Sequence, residues 1–187
     1  MRKVISLLIC LFSMYSCQVA KVEASQNKKQ LQKEFAETLT FSIELEAASP
    51  MQTTAFNSLS NTNLIAPGNT VGRFNISQTS AYFRMEGDQV DMSLPYFGER
   101  RMGGGYNDDN GIEYKGKIDD LKVEFNEKKK YYRISFSAQK NTESFDVNIQ
   151  LFQNLNIQMF INTSHRSNIR YDGYAEELPK KEGEAVD

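Results

Sequence analysis

Residues 132–161 read YRISFSAQKNTESFDVNIQLFQNLNIQMFI, and apolar side chains occupy every second position in three consecutive segments of this stretch. The segments are residues 132–138, 145–151 and 155–161. A period of two is typical of β-strands that bury one face and leave the other in solvent. Polar residues at 139–142 and 153–154 separate the segments, so the stretch predicts antiparallel strands joined by short turns.

The same alternation extends outward through residues 39–47, 112–118 and 121–125. Parallel sheets are covered on both faces and would appear as continuous apolar runs, which these segments do not show. The sequence therefore predicts an all-β fold, an antiparallel meander of about nine strands. Because each strand has one apolar face, the sheet must close into a barrel or fold into a two-layer β-sandwich. Successive short hairpins favour the barrel, with the sandwich as the alternative.

The segment before the first strand has a helical spacing. Leu31 and Phe35 lie four residues apart, and Asn27 with Gln30 resembles a capping pair. We expect a short helix over residues 27–37, with continuation of the linker as the alternative, because short isolated helices are marginal in water.

The N-terminus has the pattern of an export signal. Arg2 and Lys3 precede an apolar run over residues 4–14, which is too short to span a bilayer. Residues 1–16 are predicted to be a signal peptide, because Ser16-Cys17 resembles a lipoprotein processing site at which Cys17 becomes acylated. A later cut after Ala24 is the alternative. We therefore expect a periplasmic or outer-membrane lipoprotein that contacts the membrane only through Cys17, or alternatively a secreted soluble protein.

The predicted organisation is a linker or short helix over 17–34, a single β-domain over 35–175 and a disordered tail over 176–187. The chain of 187 residues has length for one core, and its 22 Lys and Arg against 24 Asp and Glu give a net charge of −2. A nucleic-acid partner is not expected, because such binders carry a basic excess. One His and two Cys cannot form a zinc site, so no metal or cofactor is predicted.

One segment resembles a known family. Residues 94–98 read Leu-Pro-Tyr-Phe-Gly, and this run, with Ala47-Ala48-Ser49-Pro50 and Tyr171-Asp172-Gly173, is similar to the Bacteroidota domain-of-unknown-function family DUF4251. Glu99 stands where the family pattern has Arg, and Arg100 follows one step later. The resemblance covers residues 35–174 and implies a secreted or periplasmic domain with a lipocalin-like β-barrel and no established activity.

The same segment supplies the candidate binding residues. In one interpretation its aromatic and cationic side chains form a mouth over one barrel opening. In the alternative, Phe97 closes the barrel end and the Tyr96 hydroxyl is hydrogen-bonded to the backbone. The candidate ligand-binding residues are Tyr96, Phe97, Arg100, Arg101 and Tyr106.

The sequence contains no complete catalytic set. His165 is the only His, and it lies in a predicted turn, so a Ser-His-Asp arrangement is not indicated. We therefore predict no enzyme but a binding module for a small amphipathic ligand or an envelope partner protein. The alternatives are a purely structural envelope protein and a hydrolase of envelope glycans or peptides, which would need convergence of Glu99, Asp108, Asp109 and Asp120.

The barrel interior distinguishes a ligand carrier from a domain that interacts through its surface. An eight-stranded barrel is either filled by side chains or just wide enough for one small ligand. A filled interior would exclude a carrier that encloses its ligand, and the domain would then interact through its outer surface. It is expected if four aromatic side chains meet in the middle, namely Phe41, Tyr114, Phe136 and Phe145.

Overall fold

Ten strands follow helix α1 in the described part of the chain, which in this computed structural model comprises residues 24–54, 58, 67–102 and 111–179. The predicted signal peptide, Cys17, Tyr106 and residues 180–187 lie outside the described residues. Within the described ranges, no helix has both the length and the apolar character needed to cross a membrane. Helix α1 covers residues 24–38, and the strands are β1 (Thr40–Pro50), β2 (Phe74–Asn75), β3 (Tyr82–Glu86), β4 (Gln89–Pro95), β5 (Gly111–Lys117), β6 (Asp119–Asn126), β7 (Tyr131–Lys140), β8 (Glu143–Phe152), β9 (Asn156–Thr163) and β10 (Ile169–Glu176).

Helix α1 covers one end of the sheet, which confirms the short N-terminal helix. Phe35 is buried and its ring centroid lies 5.9 Å from that of Phe41. The buried Gln32 amide donates to the carbonyl of Leu151 at 2.8 Å and to that of Lys130 at 3.3 Å. Because these carbonyls lie at the end of β8 and in the β6–β7 turn, one side chain holds the helix against the barrel end.

The strands form one antiparallel sheet in the order β5-β4-β3-β1-β10-β9-β8-β7-β6. The short strand β2 pairs with the C-terminal part of β1, at Ala47 and Ala48. The hairpins from β3 to β5 and from β6 to β10 are sequential, and β1 lies between β3 and β10. This arrangement is a nearly closed, barrel-shaped sheet. It confirms the predicted meander and the choice of the barrel over the two-layer sandwich.

A single bent strand completes the barrel. β5 pairs with β4 and β6 pairs with β7, and Ile118 alone separates β5 from β6. Since every ladder is antiparallel, β5 and β6 run in the same direction and act as two halves of one strand. The bend includes Asp120, whose φ of 53° lies in the left-handed region, and a β-bulge between Asp119 and Lys122.

Side chains from opposite walls meet inside the barrel. The ring of Phe83 on β3 lies 6.3 Å from Phe41 on β1 and 6.4 Å from Phe136 on β7. On another level, Tyr114 on β5 lies 6.3 Å from Phe145 on β8. All five rings are buried. Within the described residues, the interior is therefore filled by the predicted aromatic residues together with Phe83.

Gly173 permits a close approach between β1 and β10. It pairs with Leu45 next to a register shift, and a Cβ at this position would lie 2.1 Å from the carbonyl oxygen of Glu44. We expect Gly173→Ala to lower the free energy of unfolding by about 3 kcal/mol, because the backbone of β1 would have to move. Urea unfolding followed by circular dichroism measures the change, since the chain has no Trp.

Gly87→Ala is the matched control, because a Cβ there meets nothing within 4 Å and only the φ of 62° is strained. Its expected cost is about 1 kcal/mol. Equal losses in the two variants would contradict the close approach of β1 and β10.

Candidate functional site

Four of the five predicted binding residues, namely Tyr96, Phe97, Arg100 and Arg101, lie at the barrel end opposite helix α1, in residues 96–102, called here the cap segment. This segment leaves the end of β4 and runs beside residues 165–167, which connect β9 to β10. The Ser167 amide donates to the Glu99 carbonyl at 2.9 Å, and the Arg101 amide donates to the His165 carbonyl at 2.7 Å. These bonds fasten the cap segment across the end of the barrel like a short additional strand.

Tyr96 is held by polar groups of the protein itself. Its hydroxyl lies 2.9 Å from the carbonyl oxygen of Ser167, 3.0 Å from that of Glu99 and 2.8 Å from Ser167 Oγ. Burial raises the pKa of the Tyr96 hydroxyl, so the neutral form is favoured. A Cβ on Gly98 would lie 2.2 Å from that hydroxyl, so glycine at this position leaves room for the Tyr96 side chain. Tyr96 thus fastens the cap segment to the β9–β10 connection.

Phe97 and the two arginines have different surroundings. The half-buried Phe97 ring stacks on Phe74 of β2, with centroids 4.5 Å apart and an interplanar angle of 1°. Arg100 is half-buried and forms an isolated β-bridge with Arg166, whereas Arg101 is exposed. The structure therefore brings Tyr96, Phe97, Arg100 and Arg101 into one segment, where both rings contact other parts of the protein. Their role in ligand binding stays a prediction.

Sequence reasoning did not identify the ion pair beneath the cap segment. Arg166 is only 6% exposed, and its Nε lies 3.0 Å from Glu143 Oε1. The same guanidinium donates to the Gly111 carbonyl at 2.6 Å and lies 5.3 Å from the centre of the Tyr96 ring. It thereby ties the beginnings of β5 and β8 to the cap. Nothing in the local sequence signals this pairing, because Arg166 lies on the β9–β10 connection and Glu143 begins β8, 23 residues away in the chain.

The other candidate region is a groove on the outside of the barrel, called here the outer groove. Its volume is about 590 Å³, and it crosses the outward faces of β6 to β10 and the end of β1. Strand register arranges its outward-facing side chains in two rows, which are polar except for Phe160. The first row consists of Lys122, Ser135, Asn148, Phe160 and Arg170, and the second row of Asp120, Ser137, Asp146 and Asn162.

Both ends of the outer groove have walls. At the β6 end, the bulge turns Asp120 toward β7, where Ser137 Oγ donates to its carboxylate at 3.1 Å. At the β1 end, Pro50 and Met51 line the groove, and the Met51 amide donates to the Asn168 carbonyl at 2.9 Å. The groove is therefore a bounded depression that is open to solvent along its length.

Charge and apolar surface are mixed in the outer groove. Two carboxylates and two cations line it, namely Asp120, Asp146, Lys122 and Arg170. Arg170 also pairs with Asp172, with 3.1 Å between Nε and Oδ1. Phe160 is 36% exposed between Asn148 and Arg170 on the neighbouring strands, and so offers an aromatic surface among polar groups.

A depression of about 700 Å³ on the outside of β3 to β5 has a different character. Its central Asp91 accepts a hydrogen bond from the Tyr82 hydroxyl at 2.9 Å and lies 2.9 Å from Lys115 Nζ. The bond with Lys115 lowers the pKa of the Asp91 carboxyl, and the bond with Asp91 raises the pKa of Tyr82. These polar groups are paired with one another, so the outer groove is the stronger candidate for binding.

Two of the four acidic residues considered for hydrolysis, Glu99 and Asp120, are described, and they lie in different parts of the protein. Glu99 accepts a hydrogen bond from Thr53 at the cap segment, whereas Asp120 lies in the outer groove against Ser137. Asp108 and Asp109 lie outside the described residues. Across the described ranges, no group of three or more His, Cys, Asp and Glu side chains is placed to hold a metal ion.

Comparison with known proteins gives a family and a fold. The family model named domain of unknown function DUF4251 matches residues 23–175. The crystal structure of a DUF4251 family protein from Bacteroides eggerthii is similar in fold, with a TM-score of 0.52 and 13% identity. The match covers 82% of this chain and 87% of that chain. No curated protein matches the chain.

The buried Tyr171 makes the stability of the barrel sensitive to alkaline pH. Its hydroxyl donates to the Pro95 carbonyl at 2.8 Å, and burial raises its pKa far above the ordinary value of 10.0. Above about pH 10 the unfolded chain loses this proton while the folded chain retains it, so the free energy of unfolding falls as pH rises. Below that pH the contribution is fully present.

We expect the fall in the free energy of unfolding between about pH 9 and pH 11 to be smaller in Tyr171→Phe than in the wild type. Urea unfolding at a series of pH values measures the free energy of unfolding of each protein. The fall is expressed relative to the same protein's value at neutral pH. Some pH dependence remains, because the pKa values of Tyr96 and Tyr114 are also raised. Identical pH profiles for the two proteins would contradict the assignment to Tyr171.

Proposed function

The chain belongs to the DUF4251 family of domains of unknown function, and from the geometry of this member we propose that it is a non-catalytic binding module of the cell envelope. In this proposal a small amphipathic ligand binds in the outer groove, on the outside of the barrel. The observation that carries the proposal is the filled interior, which leaves the outer surface as the place for a ligand.

The filled interior argues against a carrier that encloses its ligand. The contact between Phe83 and Phe136 joins β3 to β7, which lie on opposite walls, at a centroid distance of 6.4 Å. Both rings are less than 5% exposed. An internal ligand would have to displace these side chains, and the loss of such core packing costs several kcal/mol.

The outer groove has the properties of a small-molecule site. Its volume of about 590 Å³ falls within the range of known ligand pockets. Phe160 and Met51 supply apolar surface, and the amides of Asn148 and Asn162 supply hydrogen-bonding groups. An amphipathic ligand can contact the apolar surface with its apolar part and hydrogen-bond to the amides with its polar part. Glu99 and Asp120, which the hydrolase alternative requires in one cleft, lie at the cap segment and in the groove respectively.

The envelope location rests on the N-terminal sequence. Arg2 and Lys3, the apolar run over 4–14 and Ser16-Cys17 support export followed by acylation at Cys17. The residues between Cys17 and helix α1 would then form the tether between the lipid and the barrel. A tethered domain of this kind faces ligands in the aqueous compartment beside the membrane.

The binding position can be tested by NMR without knowledge of the natural ligand. We expect phenol and acetanilide, as small amphipathic probes, to shift the amide signals of Asn148, Phe160 and Asn162 in the isotope-labelled protein, because these residues line the outer groove. Palmitate serves as the probe for an internal site. It is expected to leave the signals of Phe83 and Phe136 unchanged.

Two results would overturn the proposed function. One is a saturable shift of the interior signals with palmitate, which would indicate an internal site. The other is the absence of any shift at the groove with the amphipathic probes. The variant Phe160→Ala, with Tyr174→Ala as the control at an exposed aromatic outside the groove, verifies that the shifts come from the groove.

The anchor at Cys17 is tested by mass spectrometry of the full chain expressed in a Gram-negative host. We expect the protein in the membrane fraction to begin at a diacylated Cys17, because the signal ends in Ser16-Cys17. Cys17→Ser should move the domain out of the membrane fraction. A mature N-terminus immediately after Ala24 in the wild-type protein would contradict the anchor.

A further inference from the structure

We infer that the ligand of the outer groove is a neutral saccharide chain that lies across the strands. This inference rests on the proposed function, because it names the ligand class for the same groove. It is carried by the balance of charge, the kinds of hydrogen-bonding groups, the exposed ring and the open shape of the groove.

The formal charges of the residues lining the groove sum to zero, and one of the two cations, Arg170, is also paired with Asp172. Asp120 and Asp146 lie in the second row, and Lys122 and Arg170 lie near the two ends of the first row. An anionic ligand would lie against the two carboxylates, and a cationic ligand against Lys122 and Arg170. Like charges in contact are unfavourable, so an uncharged ligand fits the whole length of the groove best.

The central polar groups match hydroxyl-rich ligands. The amides of Asn148 and Asn162 each have donors and an acceptor, and the Ser135 hydroxyl can donate and accept. The Ser137 hydroxyl donates to Asp120 and can still accept. Asp146 accepts only and Lys122 donates only. A sugar hydroxyl also donates and accepts, so neighbouring hydroxyls of one ring can pair with alternating groups of this surface.

Phe160 provides a platform for the less polar face of a sugar ring. It is 36% exposed and lies in the first row, with Asn148 and Arg170 opposite it on the adjacent strands. Aromatic rings at binding sites combine large apolar contact with low conformational entropy. A pyranose ring has C–H groups on its faces and hydroxyls around its rim, so the ring stacks on Phe160 while the rim contacts the polar neighbours.

The shape of the groove favours a chain over a single ring. Adjacent strands are about 4.8 Å apart, so a path from β6 to β10 is about 19 Å long. The groove is open along this path and bounded by Asp120 at one end and by Pro50 and Met51 at the other. Several linked sugar rings therefore fit, and the ligand need not be enclosed.

The test is saturation-transfer NMR and calorimetry of the mature domain with defined hexasaccharides. The neutral probes are maltohexaose, cellohexaose and chitohexaose, and the charged probes are hexagalacturonate and the chitosan hexamer. We expect saturable binding of at least one neutral probe, and binding of the charged hexasaccharides that is weaker by about tenfold or more.

Variants locate the binding. Phe160→Ala and Asn148→Ala are each expected to weaken binding of the neutral probe about tenfold, as loss of an anchoring side chain does. Tyr174→Ala, at an exposed aromatic outside the groove, should leave it unchanged. All three positions are on the outward side of the sheet, and circular dichroism verifies that each variant remains folded.

The outcomes separate this inference from the proposed function. Binding of a neutral hexasaccharide that Phe160→Ala and Asn148→Ala weaken supports the inference. If phenol and acetanilide shift the groove signals but no neutral hexasaccharide binds, the inference fails and the proposed function stands. Tighter binding of a charged hexasaccharide, or neutral binding that the groove variants do not change, also overturns the inference. A groove that binds neither class of probe overturns both.

Discussion

The barrel depends on the need to cover one apolar face of a single long sheet. Side chains at alternate positions of β7, β8 and β9 are almost fully buried, among them Ile134, Ile149 and Met159. An open sheet would leave this face in water, at a cost of about 25 cal/mol for each Å² of apolar surface. β1 pairs with both β3 and β10 and so joins the two halves of the meander into one sheet. The two halves curve toward each other, and their apolar faces are buried in one core.

Much of the fold was predictable from the sequence, because strand periodicity is a local property. The alternation located the long strands, and the spacing of Leu31 and Phe35 located helix α1. β6 departs from the pattern. Val123 and Phe125 alternate as buried residues do, yet they are 40% and 39% exposed, because β6 lies at the edge of the sheet and has a neighbour only on the β7 side among the described strands. Alternation in a sequence does not show whether an edge strand is covered.

The candidate site was much less predictable, because it depends on register between strands. Ser135, Asn148 and Phe160 belong to three strands and become neighbours only when the β7–β8 and β8–β9 ladders are aligned. In the sequence they are simply the solvent-facing half of the alternation. The segment around Tyr96 was located from its Pro and Gly residues, but its contacts with Ser167 and Arg166 come from a connection about 70 residues away.

The bent strand has a further consequence for how copies of the protein meet. Because β5 and β6 share no ladder, each has a neighbour on one side only among the described strands, and backbone groups on the other side are of the kind that another chain could use to extend the sheet. Lys122 and Glu124 alternate along β6, and Lys128 to Lys130 follow in the turn to β7. Charged side chains at an edge, lysine above all, are a common means by which natural sheet proteins discourage polymerisation. The β6 side of the bent strand thus carries charged side chains of the kind that discourages fibre growth.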